Sequence, residues 1–296
     1  MKDVNIIKAK REKDLKAQFV SGLLRHLAAA AVGFILCKAV FFENYLPFGV
    51  AFMAGCPVSL LPSAALGIFV GYFLPAFGIT GFKYVAAALA VLAVRFMLIF
   101  NKKLISNPLF AGLISALAVG VTGAVARFGV KSNPLYFALE ITVCAVCAIV
   151  ISRVSSFIYR VENGLSGEEL GCLLVGFSLL LSGVYGASLF GLRPSCVLAV
   201  LLILSAAKYG GAVAAMSGAI SVSCFFFFAG KSAAECFAYT IAAFCAGLVC
   251  AYGKYVQLSS FFAACVFFCV IKGISAQTAI FITEAALGCL VFALLP

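Results

Sequence analysis

Residues 193–230 read RPSCVLAVLLILSAAKYGGAVAAMSGAISVSCFFFFAG, with a single internal cation, Lys208, and no acid. Two apolar runs, 194–207 and 212–230, flank a Lys-Tyr-Gly-Gly break, and glycine pairs punctuate regular structure. A water-soluble chain cannot hide two such runs side by side, because its polar residues have to cover the core. The same texture extends in both directions. The chain is 65% hydrophobic and 10% charged, with a mean hydropathy of +1.19. Beyond Gly22 the polar connectors shrink to 101–107, 127–133 and 153–169. The chain reads as an all-α, polytopic transmembrane helical bundle embedded in a lipid bilayer.

A bilayer core of about 30 Å takes about 20 apolar residues per helix. Apolar runs at 24–42, 58–76, 82–100, 108–126, 135–152, 170–190, 194–207, 212–230, 234–252, 258–271 and 278–295 are the candidate spans. Region 46–77 breaks the pattern, with Pro47, Pro57, Pro62 and Pro75 inside apolar sequence. Proline removes a backbone donor, and residues 48–56 rise only about 14 Å as a helix. A Pro-broken or re-entrant hairpin packed inside the protein is the expectation there. Counting it as no net crossing leaves about ten crossings, with both termini on one side.

Orientation follows from charge. Lys and Arg number 21 against 10 Asp and Glu, and Lys2, Lys8, Lys10, Arg11, Lys13, Lys16 and Arg25 crowd the start. The positive-inside rule makes residues 1–23 a cytoplasmic basic segment ahead of a membrane domain, 24–296. About 20 polar residues before a full-length first span do not fit a cleavable signal. The first segment also carries Val4, Ile7, Leu15 and Phe19 at helical intervals among basic residues. It reads as a topogenic signal, or else as a helix lying on an anionic leaflet. With this topology Lys102, Lys103, Arg153, Arg160, Lys208 and Lys254 fall inside, and Lys83, Arg127, Lys131, Arg193, Lys231 and Lys272 outside. Loop counts alone are nearly level.

Thirteen cysteines do not make a disulfide scaffold here. Eleven lie in apolar runs, where a thiol is a small hydrophobe. Cys144 and Cys147 form a CxxC without a second ligand pair, and His26 is the only histidine, so neither zinc nor redox chemistry is expected. The only aspartates, Asp3 and Asp14, sit in the tail, and no P-loop, GxGxxG or GxSxG pattern occurs. The chain is not expected to be a catalyst, to hold a cofactor or metal, or to bind nucleic acid.

Intramembrane charge is the remaining signal. Glu140, Glu284 and Arg95 lie within spans, with Lys38, Glu235 and Lys272 near span ends. A charge at the bilayer centre costs about 2.5 to 3.5 kcal/mol even on lenient scales, so it pairs, snorkels or marks function. Lys38, Arg95 and Lys272 are close enough to span ends to snorkel. For Glu140 and Glu284 two readings stand, pairing with a basic residue or a site for a coupled ion. Small-residue faces such as Gly210, Gly211, Ala214, Ala215 and Gly218 are candidate helix-packing and self-association surfaces. No internal repeat is evident from the sequence.

Four segments in order carry a family resemblance. They are LPFGVAFMAG at 46–55, NGLSGEELGCLLVGFSLLLSGV at 163–184, RPSCVLAVLLILSAAKYGGAVAAMSGAISV at 193–222 and TEAALGCLVFALLP at 283–296. Together they resemble the N-terminal membrane region of the stage II sporulation protein E family of endospore-forming bacteria. The resemblance implies a ten-span membrane domain, both ends cytoplasmic, that anchors a phosphatase at the polar septum and supports self-association beside cell-division proteins. Full-length members carry a C-terminal manganese-dependent PPM-type phosphatase domain that activates the forespore sigma factor by dephosphorylating an anti-sigma-factor antagonist. That domain would begin about where this sequence ends, so no catalytic or metal-binding residue carries over. The alternative expectation is a stand-alone transporter of ions or small molecules.

Overall fold

The structure is a computed structural model that describes residues 2–42, 45–74, 78–127, 133–157, 165–273 and 275–295, with side chains from Val20 in the first helix and Gly81 in the fourth. The basic side chains of residues 2–16, the apolar ones of the same segment, Pro75, Lys131 and Arg160 lie outside the described residues. Among the described residues twelve helices follow one another: α1 (Lys2–Cys37), α2 (Phe48–Gly55), α3 (Leu61–Phe73), α4 (Gly78–Met97), α5 (Lys102–Ile105), α6 (Pro108–Ala126), α7 (Pro134–Phe157), α8 (Gly167–Val184), α9 (Pro194–Phe228), α10 (Ala233–Leu248), α11 (Lys254–Lys272) and α12 (Ala276–Leu294). Leu, Phe and Val side chains coat the outside of the bundle. A water-soluble fold does not present apolar surface on that scale.

Among the described residues seven helices are long and apolar enough to span a bilayer, not about ten. The excess came from counting apolar runs without their three-dimensional connections. Of the three fewer, one comes from the runs at 194–207 and 212–230, which fall in the one helical segment α9. Another comes from 82–100, since α4 is not among the seven, and the third from 234–252, which contains only the shorter apolar helix Ala233–Leu248. The hairpin run 58–76 likewise contains only the short helix Val58–Phe73. A helix enclosed by other helices sits in an apolar medium made of protein, so it need not reach from one interface to the other.

α9 is not straight. Gly211 has φ 66° and ψ −158°, a conformation that side chains with a Cβ avoid. The chain reverses there. Lys231, just past the far end of α9, places Nζ 3.2 Å from Cys196 Sγ in its first turn, and a Cβ on Gly218 would lie 3.8 Å from Ala206 Cβ. A continuous helix would put Cys196 and Lys231 about 50 Å apart. Residues 194–210 and 212–228 are therefore the two arms of a hairpin. Of the candidate helix-packing residues, Ala214, Ala215 and Gly218 are buried within the chain, with Gly218 against Leu174 of α8, while Gly211 is the hinge and Gly210 is exposed.

Region 46–77 makes the same reversal with prolines. Pro47 caps α2, Pro57 sits in the break after Cys56, and Pro62 occupies the first turn of α3. α2 is only 8 residues long, nearly all of it buried, and α1, α4, α6 and α7 pack around it. α3 crosses α1 so closely that a Cβ on Gly67 would strike the backbone of Ala30.

These parallels extend through the molecule, so an internal repeat is present after all. The order α1, α2–α3, α4, α6, α7 is repeated by α8, the α9 hairpin, α10, α11, α12. α1 packs on α3 as α8 packs on α9; α2 meets α7 as α9 meets α12; α4 meets α6 as α10 meets α11. Even the corners match. Phe41 and Tyr45 form an isolated antiparallel bridge after α1, as Leu189 and Leu192 do after α8. Phe42 and Phe190 are the only positive-φ residues other than glycine among the described residues. On α4 the buried face is Tyr84, Ala87, Ala88 and Val91, and on α10 it is Tyr239, Ala242, Ala243 and Ala246, at identical helical spacing. Each half has its own core, and the halves meet where Phe41 and Phe42 pack on Phe228, and Phe48 on Phe225.

Candidate functional site

Each half holds a buried carboxylate on its last helix, one turn or two from the helix start. Glu140 of α7 is fully buried. Lys83 at the start of α4 donates to both of its oxygens, at 2.9 and 3.1 Å, and the Tyr84 hydroxyl donates to Oε1 at 2.6 Å. Arg127, the C-cap of α6, places Nη2 3.7 Å from Oε2. Its guanidinium lies over the Phe137 ring and donates to the Tyr45 hydroxyl. Lys83 in turn packs over Tyr45 and Tyr84. Low local dielectric strengthens each of these contacts and makes any unpaired member expensive.

Glu284 of α12, 2% exposed, occupies the matching place. Its Oε1 accepts the backbone N–H of Arg193 at 2.9 Å, and its Oε2 lies 3.9 Å from Lys231 Nζ. Lys231 also stands 3.5 Å from Glu235, and Lys272 at the end of α11 pairs with Glu235 at 3.2 Å. Arg193 stacks on the Tyr185 ring and donates to its hydroxyl. Around Lys231 lie the rings of Phe226, Tyr239 and Phe281. Here the Tyr239 and Ser195 hydroxyls are buried without a hydrogen-bond partner among the described residues.

Both carboxylates thus have basic partners, and those of Glu140 are Lys83 and Arg127. Lys272 does not extend into solvent alone but joins Glu235, while Lys38 is exposed and lies over the Phe34 ring. Arg95 does not snorkel. It is 3% exposed and turns inward, donating from Nη1 to Met53 O at 2.7 Å. The reason is local: in a continuous helix the Met53 carbonyl would accept from residue 57, but Pro57 has no N–H. A cation at the C-terminus of α2 also meets the negative end of the helix dipole.

The sequence contained a signal for this pairing of sites. Phe82-Lys-Tyr-Val-Ala-Ala-Ala and Phe237-Ala-Tyr-Thr-Ile-Ala-Ala share F-x-Y-x-x-A-A, and Phe137–Glu140 and Phe281–Glu284 share F-x-x-E. In both cases the phenylalanine of the second motif packs beside a cation of the centre, Phe137 under Arg127 and Phe281 near Lys231.

The two centres lie at one end of the bundle, joined through Phe42, Tyr136 and Phe228. At the opposite end Arg25, Pro57, Ser155 and Leu173 line one apolar groove, and Lys254 donates to the Ala293 and Leu295 carbonyls. His26 is hydrogen-bonded to Ser63 at this same end, at 2.7 Å. All thirteen cysteines are free thiols, and Cys144 and Cys147 are buried packing residues. Among the described residues no three His, Cys, Asp or Glu side chains come together as a metal site. Comparison of the chain with protein-family models, characterised proteins and solved structures finds no match.

Proposed function

We propose that this multi-pass membrane protein is an anchoring and positioning domain, the membrane part of a septal phosphatase of the stage II sporulation protein E type. The observation that supports an anchor is the state of Glu140. A carboxylate that accepts two hydrogen bonds from an ammonium and one from a phenol, with a guanidinium 3.7 Å away, keeps about one of its four lone-pair sites for a travelling ion. Its partners come from α4 and α6, so the pairing ties three helices together. The order of the four resembling segments is what adds the phosphatase and the septum to that reading, with homo-oligomers and cell-division proteins as the partners expected of it.

Orientation belongs to the same proposal. The cations at the end of the two centres are largely matched by Glu140, Glu235 and Glu284, whereas Lys102, Lys103, Arg153 and Lys254 at the opposite end have no ion pair with an acid among the described residues. The end that carries these four cations, and with them both the entry into α1 and the exit from α12, is the cytoplasmic one. A fluorescent fusion of residues 1–296 in sporulating cells is expected to concentrate at asymmetric septa. Uniform labelling of the cell membrane beside a septal full-length control defeats the proposal.

A transport reading is favoured by one observation, the duplicated architecture with a broken helical element in each half, which is common in secondary transporters. Glu140→Gln and Glu284→Gln separate the two. An anchor that folds still reaches its site, whereas a transporter loses flux.

A further inference from the structure

At the cytoplasmic end, by the orientation proposed above, a cleft of about 410 Å³ opens between the C-terminal ends of α2, α4 and α7 and the short helix α5. Its polar wall consists of Arg95, Lys102, Ser106, Ser152, Ser155 and Ser156. No acid lines it. Arg95 has five N–H donors, of which Nη1 is held by Met53 O, with Cys56 Sγ 3.6 Å away. Among the described residues no carboxylate lies within ion-pair distance of its guanidinium. The other cation buried to this degree among the described residues, Lys231, has two acids beside it. A carbonyl dipole satisfies one donor but does not neutralise a buried charge.

We infer that this cleft binds a phosphate group, with Arg95 as the buried anchor, Lys102 as the second cation and Ser152 on the wall as a hydroxyl donor. Planar guanidinium donors match phosphate oxygens, and serine hydroxyls complete such sites. The shared chemistry has two sources, the headgroup of an anionic phospholipid in the adjoining leaflet or inorganic phosphate from solution. The site stands on the cleft and the unmatched guanidinium, and it holds for an anchor and a transporter alike.

The test uses the full chain in phosphatidylcholine nanodiscs, with and without added phosphatidylglycerol, and in a third arm with inorganic phosphate added instead. Thermal midpoints and native mass spectra of retained lipid are the readouts. Wild type is expected to gain stability with phosphatidylglycerol and to retain one molecule. Lys102→Gln with Ser152→Ala, which leaves the α2 terminus intact, weakens retention about tenfold, equivalent to about 1.4 kcal/mol. Lys103→Gln, an exposed neighbour off the cleft wall, leaves retention unchanged. A stability gain only in the phosphate arm, lost in the same double variant, assigns the site to the free anion. No gain in either arm, or a gain that ignores the double variant, overturns the proposal and leaves Arg95 as the cap of α2. Arg95→Lys, which keeps charge but not the fork, is expected to hold the fold and weaken binding.

Discussion

The two halves share a scaffold but neutralise their buried acids differently. In the first half one carboxylate, Glu140, collects Lys83, Arg127 and the Tyr84 hydroxyl, with the lysine contacts at 2.9 and 3.1 Å. In the second, one lysine is shared between Glu235 and Glu284 at 3.5 and 3.9 Å, and two buried hydroxyls have no hydrogen-bond partner among the described residues. The first centre is over-determined, whereas in the second a single lysine links the two acids, with Lys272 on Glu235 and the Arg193 N–H on Glu284 as their other partners. The same helix order therefore yields one centre that tolerates the loss of a cation and one that does not.

The largest expected effect breaks that asymmetry directly. Lys231→Met leaves two acids with Lys272 and one backbone N–H between them, and a buried charge stripped of its partner costs about 3 to 5 kcal/mol. Lys83→Met leaves Glu140 with Arg127 and Tyr84, and is expected to cost about 2 kcal/mol. Unfolding titrations with SDS in mixed micelles measure both. Equal losses would mean the centres are equally redundant. Adding Glu284→Gln to Lys231→Met is expected to recover most of the loss, because the stranded charge is what costs.

How much of this was legible in the sequence follows the same divide between covalent order and spatial neighbours. The membrane class was open to view because composition alone decides it. The break near Pro57 was visible too, since proline states its own consequence for the backbone. The α9 break was visible as well, since the Lys-Tyr-Gly-Gly stretch at 208–211 separates the runs 194–207 and 212–230, but how the two arms pack was not, because hydropathy is blind to which neighbours a run meets. Glu140 could be singled out, but its partners could not, because Lys83 and Arg127 come from helices whose adjacency depends on the whole packing. The repeat escaped because only a few positions survive in both copies. Tyr84 with Tyr239 and Glu140 with Glu284 are kept while the apolar residues between them drift freely.

The halves also break their helices by different devices, and a middle-sized effect tests that difference. Gly211→Ala puts a Cβ at φ 66° and ψ −158°, a region that costs about 1 to 3 kcal/mol for other residues. Pro57 sits at φ −60° and ψ 143°, where any residue fits, and the Met53 carbonyl is held by Arg95 in any case. Pro57→Ala is therefore expected to cost under about 1 kcal/mol. A larger loss for Pro57→Ala than for Gly211→Ala in the same titration would show that the proline, not the arginine, keeps α2 from extending.

The smallest effect is the sharpest probe of the comparison, because it removes one oxygen from each of two corresponding tyrosines. Tyr84→Phe deletes a 2.6 Å hydrogen bond to a buried carboxylate and is expected to cost about 1.5 kcal/mol, the low end for a charged acceptor because Lys83 and Arg127 remain. Tyr239→Phe deletes a hydroxyl that is buried and unpartnered among the described residues. Removing a polar group that was desolvated without compensation is neutral or favourable, so the variant is expected to match wild type or exceed it slightly. A cost for Tyr239→Phe as large as that for Tyr84→Phe would mean that its hydroxyl is engaged after all, and that the second centre is as closed as the first.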